Sequence, residues 1–187
     1  MRYAKDALGA SLLFFLLACS THSTEPKTAS KPSVPVKLEK AKIGTIYNVH
    51  RFGKILLAGQ PKPEDFALLK KMGIKTVIQM NYRERLPFNE EALARSHGMN
   101  YVYLPWNGPK LLTDEVYDRT RKLLNDSEKP LLLHCASANR VGAIWLVWRV
   151  LDGGIPLEQA IAEAKEVGMR TPGYLVRAKE YLAKHGR

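Results

Sequence analysis

The segment from Pro130 to Leu151 leaves the chain few ways to fold. Leu131, Leu132, Leu133 and His134 form a short apolar run between Pro130 and Cys135, the length and flanks of a buried strand. Ala136, Ser137, Ala138 and Asn139 separate Cys135 from Arg140. Val141 to Leu151 is then apolar almost all round, as a helix is when covered on every side. A strand, a tight turn and a helix in that order bring the turn's backbone N–H groups to a helix N-terminus, where their partial positive charge concentrates. An anion is the natural occupant of such a turn.

The residue types at the two ends of the turn suggest the chemistry. A cysteine reacts as its thiolate, and both a helix N-terminus and a guanidinium favour that form, so Cys135 is expected to be a nucleophile near neutral pH. Arg140 would present a planar fork of donors to an oxyanion. The competing reading makes Cys135 an inert buried thiol and Arg140 a surface charge, and either residue taken singly fits it. The joint pattern favours a reactive site, with the backbone of Ala136, Ser137, Ala138, Asn139 and Arg140 as the cradle. Such a site needs no metal and no cofactor.

A chain of 187 residues has room for one domain with a substantial core. Its net charge of +11 is spread out: residues 1–19 carry +1, residues 20–42 carry +3, and residues 43–187 carry +7. Without a dense basic block or a basic stripe interleaved with aromatics, the excess argues against a nucleic-acid partner and for anionic substrates or surfaces.

Residues 1–19 stand apart from the fold. Arg2 and Lys5 precede an apolar core from Leu8 to Ala18, too short for a comfortable membrane span and suited to a secretory signal. Its ending, Leu16-Leu17-Ala18-Cys19, resembles the lipobox of bacterial lipoproteins, which implies lipid on Cys19 and a membrane attachment. An ordinary cleaved signal or an uncleaved anchor is the alternative. Ser20 after the cysteine resembles lipoproteins sent to the outer membrane, which would put the domain in the cell envelope on the periplasmic face of that membrane. With Cys19 acylated, Cys135 has no disulfide partner in the chain, and a cysteine-based zinc site is excluded. Residues 20–37, rich in Ser, Thr, Pro and Lys, read as a disordered tether that could span roughly 60 Å when stretched.

The domain is expected over residues 38–187. Ile46 to Phe52 and Ile55 to Ala58 suggest a hairpin. Pro63 opens a helix that stops at Gly73, Ile74 to Met80 is a strand, Asn89 to His97 a helix, and Met99 to Leu104 a strand. Thr113 caps a helix that ends near Asn125. After the cysteine strand and its helix come two more helices, Leu157 to Val167 and Pro172 to Lys184. This order implies an α/β fold with a mostly parallel central sheet flanked by helices, with the cysteine strand at its centre. Ligands of such sheets collect at the carboxyl ends of the strands.

His134-Cys135 and Arg140 at a strand-to-helix turn resemble the protein tyrosine and dual-specificity phosphatase superfamily. Ala58 to Met80, AGQPKPEDFALLKKMGIKTVIQM, is similar to the bacterial phosphatase-like domain of beta-lactamase-hydrolase-like proteins and of fusions with NAD kinase. The resemblance implies that Cys135 attacks phosphorus to give a phosphocysteine, that Arg140 binds the phosphoryl oxygens, and that His134 orients the loop. It implies as substrate a phosphorylated protein, at phosphotyrosine or phosphoserine, or a small phosphate ester. This sequence departs from that pattern in four places. Four residues rather than five lie between Cys135 and Arg140, Ala138 stands near the usual glycine, Val141 replaces a Ser or Thr, and Asn107 stands where an aspartic general acid is usual. Asp114 and Glu115 could stand in as the acid, though both sit where a helix dipole alone favours carboxylates. Trp106 could stack on a substrate or pack as a lid. Trp145 and Trp148 read as core, and Arg170 as a solvated charge or a second cation at the mouth.

The same departures resemble rhodanese-type sulfurtransferases, whose cysteine loop commonly has four residues before an arginine and whose chemistry needs no general acid. That resemblance implies a persulfide on Cys135 and a sulfane-sulfur donor as partner. A non-catalytic anion-binding domain is the third reading.

Overall fold

A computed structural model describes residues 36–187. The signal-like segment with Cys19 and residues 20–35 of the expected tether lie outside the described residues. Six strands form one sheet: β1 (Leu38–Ala41), β2 (Val49–Phe52), β3 (Ile55–Ala58), β4 (Thr76–Gln79), β5 (Asn100–Tyr103) and β6 (Leu131–His134). Their spatial order is β1-β2-β3-β6-β4-β5. β3, β6, β4 and β5 run parallel, and β1 and β2 add an antiparallel ribbon at one edge. The cysteine strand is therefore central.

Six helices flank the sheet: α1 (Asp65–Lys71), α2 (Glu90–Ser96), α3 (Asp114–Asp126), α4 (Asn139–Leu151), α5 (Leu157–Val167) and α6 (Pro172–Lys184). Because side chains alternate along a strand, β6 sends Leu131 and Leu133 to one face and Leu132 and His134 to the other. Leu131, Leu133 and Cys135 join the larger apolar cluster with Val141, Ile144 and Trp145 of α4, Ala164 of α5 and Ala178 of α6. Leu132 joins the smaller one with Phe66 and Leu69 of α1 and Ala94 of α2. Each fully buried leucine contributes about 2 kcal/mol relative to exposure, so the three of β6 alone anchor the strand firmly.

α4 is enclosed, as its sequence requires. Val141 to Val147 are all buried. Trp145 stacks on Trp148 with ring centroids 4.9 Å apart, and the Arg149 guanidinium pairs with Glu163 at 2.7 Å. Gly142 permits the approach of α5, because a Cβ there would stand 2.5 Å from the Ala164 carbonyl oxygen and 2.8 Å from the Met169 backbone nitrogen.

Three elements differ from expectation, among them β2, which begins at Val49 rather than Ile46. β1 carries no strand signature, because its sequence LEKA exposes Glu39 and Lys40, charges that guard the free edge of a sheet. α1 begins at Asp65 rather than at Pro63. Asp65 is buried and accepts from the backbone N–H groups of Thr45 (2.8 Å) and Lys62 (2.9 Å) and from the Thr45 hydroxyl (2.9 Å), so it ties the loop before β2 to the helix start. Among the described residues no helix is long and apolar enough to cross a membrane.

Gly142→Ala is expected to destabilise the domain by about 1–3 kcal/mol through overpacking against backbone that cannot yield. A urea titration followed by tryptophan fluorescence reads it.

Candidate active site

The turn lies where β6 ends, beside the ends of β3 and β4: Ala58, His134 and Gln79 stand in one row of the sheet. Cys135 N donates to Ala58 O at 3.3 Å, and Gln60 N donates to Ala136 O at 3.3 Å, so the segment after β3 runs along the turn. Gly59 faces Ser137 there; a Cβ at Gly59 would meet the Tyr47 carbonyl oxygen at 2.8 Å and that of Ala136 at 3.1 Å. The backbone reverses into α4 at Ala138, whose φ of 63° is left-handed and which carries no side-chain cap. This is the residue standing near the resembling family's glycine.

Asn139 clamps the turn from outside. Its Oδ1 accepts from Arg170 N (2.8 Å) and Thr171 N (3.3 Å), and its Nδ2 donates to Thr171 Oγ1 (2.8 Å). Arg170, exposed, reaches Ser137 Oγ with Nη2 at 2.7 Å. Arg170 is thus at once solvated and in contact with the turn. Among the described residues, no acceptor meets the N–H groups of Ala136, Ser137, Asn139 or Arg140. The cradle's donors are thus unpaired.

Cys135 is 1% exposed, on the α4 side of the sheet. Arg140, 8% exposed, turns toward the end of β4: Nη1 donates to the carbonyl oxygens of Met80 and Trp106 (2.7 Å for Trp106), and Nη2 donates to Asn81 Oδ1. A guanidinium has five N–H groups, so Nε–H and one Nη2–H have no protein acceptor among the described residues.

His134 points through the opposite face of the sheet. Its Nε2 lies 2.7 Å from Glu90 Oε1, and both residues are buried. Glu90 Oε2 accepts from Gln60 Nε2 (2.8 Å) and Gln79 Nε2 (3.4 Å), and Gln60 Oε1 accepts from Asn81 Nδ2. Burial alone would push the Glu90 carboxyl up, but the adjacent His134 imidazole and the hydrogen bonds from Gln60 and Gln79 outweigh it, and the net displacement is downward.

Sequence reading missed Gln60, Gln79, Asn81 and Glu90. A polar Gln79 inside an apolar strand and Asn81 just beyond its carboxyl end were the available signals. Trp106 is core: 1% exposed, edge-on to Tyr174 with centroids 5.4 Å apart, and donating from Nε1 to Met80 Sδ at 3.3 Å. Asn107 is exposed. Asp114 is held ionised by Lys184 and Arg177, which lower its carboxyl below the ordinary range, so it is a poor proton donor. Glu115, beside it in the first turn of α3, is exposed. No carboxylate replaces the missing acid within the Trp106–Gly108 loop.

No protein-family model matches the chain. A beta-lactamase hydrolase-like protein of Agrobacterium fabrum is 27% identical over 107 residues, which is 54% of this chain and 25% of that protein. The chain thus spans about a quarter of that relative's length. Among solved structures, a DUF442 phosphatase of Shewanella putrefaciens CN-32 superposes with a TM-score of 0.63 at 22% identity, over 76% of this chain and 96% of the other. TpbA of P. aeruginosa, solved in complex with pTyr, gives a TM-score of 0.63 at 18% identity, over 81% and 91%. The chain has the cysteine-based tyrosine phosphatase fold.

Two measurements probe the site's construction. Ala138→Gly relieves about 1–2 kcal/mol of left-handed strain and adds unfolded-state freedom, so it should change stability by no more than about 1 kcal/mol, whereas Ala143→Gly inside α4 should cost more than that. Paired denaturant titrations compare them. The depressed Glu90 carboxyl contributes stability that is complete above its unfolded value of 4.5 and is lost as pH falls through its folded value. Glu90→Gln should therefore flatten the dependence of stability on pH below about 4.5, read as melting temperature across an acid series.

Proposed function

We propose that the protein is a cysteine-dependent phosphatase-like hydrolase of phosphate monoesters, phosphotyrosine among them, acting through a phosphocysteine. One observation carries this reading: four unpaired backbone N–H groups ring the turn between Cys135 and an immobilised Arg140. Support also comes from the fold's phosphatase neighbours, one of them solved with pTyr. In the proposed reaction the Cys135 sulfur forms a bond to phosphorus as the ester P–O bond breaks. Water then cleaves the S–P bond and releases phosphate. The turn amides and the free Nε–H of Arg140 take up the equatorial oxygens, where preorganised donors stabilise the transition state most. Since Cys135 is 1% exposed, atoms over the sulfur must move aside before attack.

A missing general acid leaves the departing oxygen to carry its own negative charge. Acid catalysis is worth about 10²–10⁴-fold, so aryl phosphates should outrun alkyl phosphates by that margin. Membrane attachment through lipid on Cys19, at the periplasmic face of the outer membrane, belongs to the same proposal and rests on the Leu16–Cys19 sequence alone.

The turn's four-residue spacing and Asn107 favour a second reading, in which Cys135 carries a sulfane sulfur. Phosphate release from p-nitrophenyl phosphate, lost in Cys135→Ser and in Arg140→Ala, is the expected result. A wild-type protein inactive on aryl and alkyl phosphates, whose Cys135 peptide gains one sulfur from thiosulfate and surrenders it to cyanide, would establish sulfur transfer instead. Anion-dependent thermal stabilisation without either activity would mark a binding domain.

A further inference from the structure

Glu90 and Arg140 are the two ends of a buried chain, and the chemistry of the ends fixes what lies between. A carboxylate can only accept hydrogen bonds and a guanidinium can only donate them, while each amide in between can be turned either way. With Glu90 ionised, Gln60 must present Nε2 to it, so Gln60 Oε1 must receive Asn81 Nδ2, and Asn81 Oδ1 must face Arg140. The reversed chain would set amide oxygen against carboxylate at one end and N–H against N–H at the other. Left unpaired inside the protein, each such group costs about 1–3 kcal/mol. The second Glu90 oxygen lies against His134, the residue before Cys135, so both ends of the turn are referred to one carboxylate.

We propose that Glu90 is a positioning residue for oxyanion binding, acting through Gln60 and Asn81 to fix the Arg140 guanidinium, and through His134 to fix the start of the turn. The inference rests on the reading above only in taking Arg140 as the group that meets substrate oxygens. It requires no turnover. Glu90 touches no reacting atom: Cys135 faces α4 on one side of the sheet, and Glu90 lies on the other. Arg140 demands this direction from its end, and Glu90 supplies at the other end an acceptor that cannot be turned to donate, whereas an amide at position 90 could present N–H to Gln60 and oppose it.

Tungstate binding to the full chain, measured by isothermal titration calorimetry, tests this directly. Gln60→Met cuts the chain at a half-buried position and spares the Glu90–His134 pair, so it does not depend on removing a buried charge. It should weaken tungstate binding about tenfold, as should Glu90→Gln. The exchange Gln60→Glu with Glu90→Gln moves the carboxylate one link closer while keeping Asn81 Oδ1 toward Arg140. It should restore affinity to within about threefold of wild type, which mere loss of folding stability would not do. Tungstate affinity unchanged in Gln60→Met, or an exchange variant no tighter than Glu90→Gln alone, overturns the proposal, and so does a wild-type protein that binds no tungstate. If binding follows the expected order while no aryl phosphate is cleaved, the hydrolytic reading falls and the positioning role stands.

Discussion

The architecture around the turn depends on the burial of one permanent cation. Taking a guanidinium out of water costs several kcal/mol unless its N–H groups are met, and Arg140 has three of its donors met by atoms from two separate connections. Met80 and Asn81 belong to the end of β4, and Trp106 to the loop after β5. Any displacement of either would leave charge unpaired in a low-dielectric interior. This explains why Trp106 is core: its carbonyl is committed to Arg140 while its ring packs on Tyr174 and Met80. The arginine that the chemistry would use is also the one that holds the surrounding elements together.

Much of this was legible from sequence, and the reasons differ by element. α5 and α6 begin and end where glycine and proline say they should, since helix punctuation is local. The β6–α4 unit was legible because its apolar runs have only one economical burial. β1 was not, because an edge strand needs charge on its exposed side and so looks like loop. The buried chain was invisible for another reason. Gln60, Asn81, Glu90 and Arg140 are spread over eighty positions and meet only once the parallel strands are in register. Cys135, Arg140 and the turn between them were identifiable as a unit; the groups that orient them were not. Arg170 could be named as a candidate, but its contact with Ser137 arises from the α5–α6 connection crossing the turn and has no local signal.

Fold and chemistry are separate questions in this molecule. The fold is that of the cysteine-based tyrosine phosphatases, while four residues separate Cys135 from Arg140 and position 107 is an amide. A scaffold constrains where charge can be stabilised more tightly than which bond is broken. Ala138 illustrates the point. It adopts the left-handed conformation that the turn demands despite a Cβ, at a cost of about 1–2 kcal/mol, so the geometry of the cradle persists where the residue best suited to it does not.

The register of the edge ribbon sets where the described chain enters the sheet relative to the turn. Leu38, Phe52, Ile55 and Leu131 stand in one row at the amino end of the parallel strands, and Ala58 and His134 at the carboxyl end, about 10 Å away at the usual rise per residue. The polypeptide therefore enters the sheet at its floor and the turn opens at its ceiling. Entry and opening are thus held apart by the full length of a parallel strand, so that within the sheet a change in the edge ribbon reaches the turn only through β3 and β6.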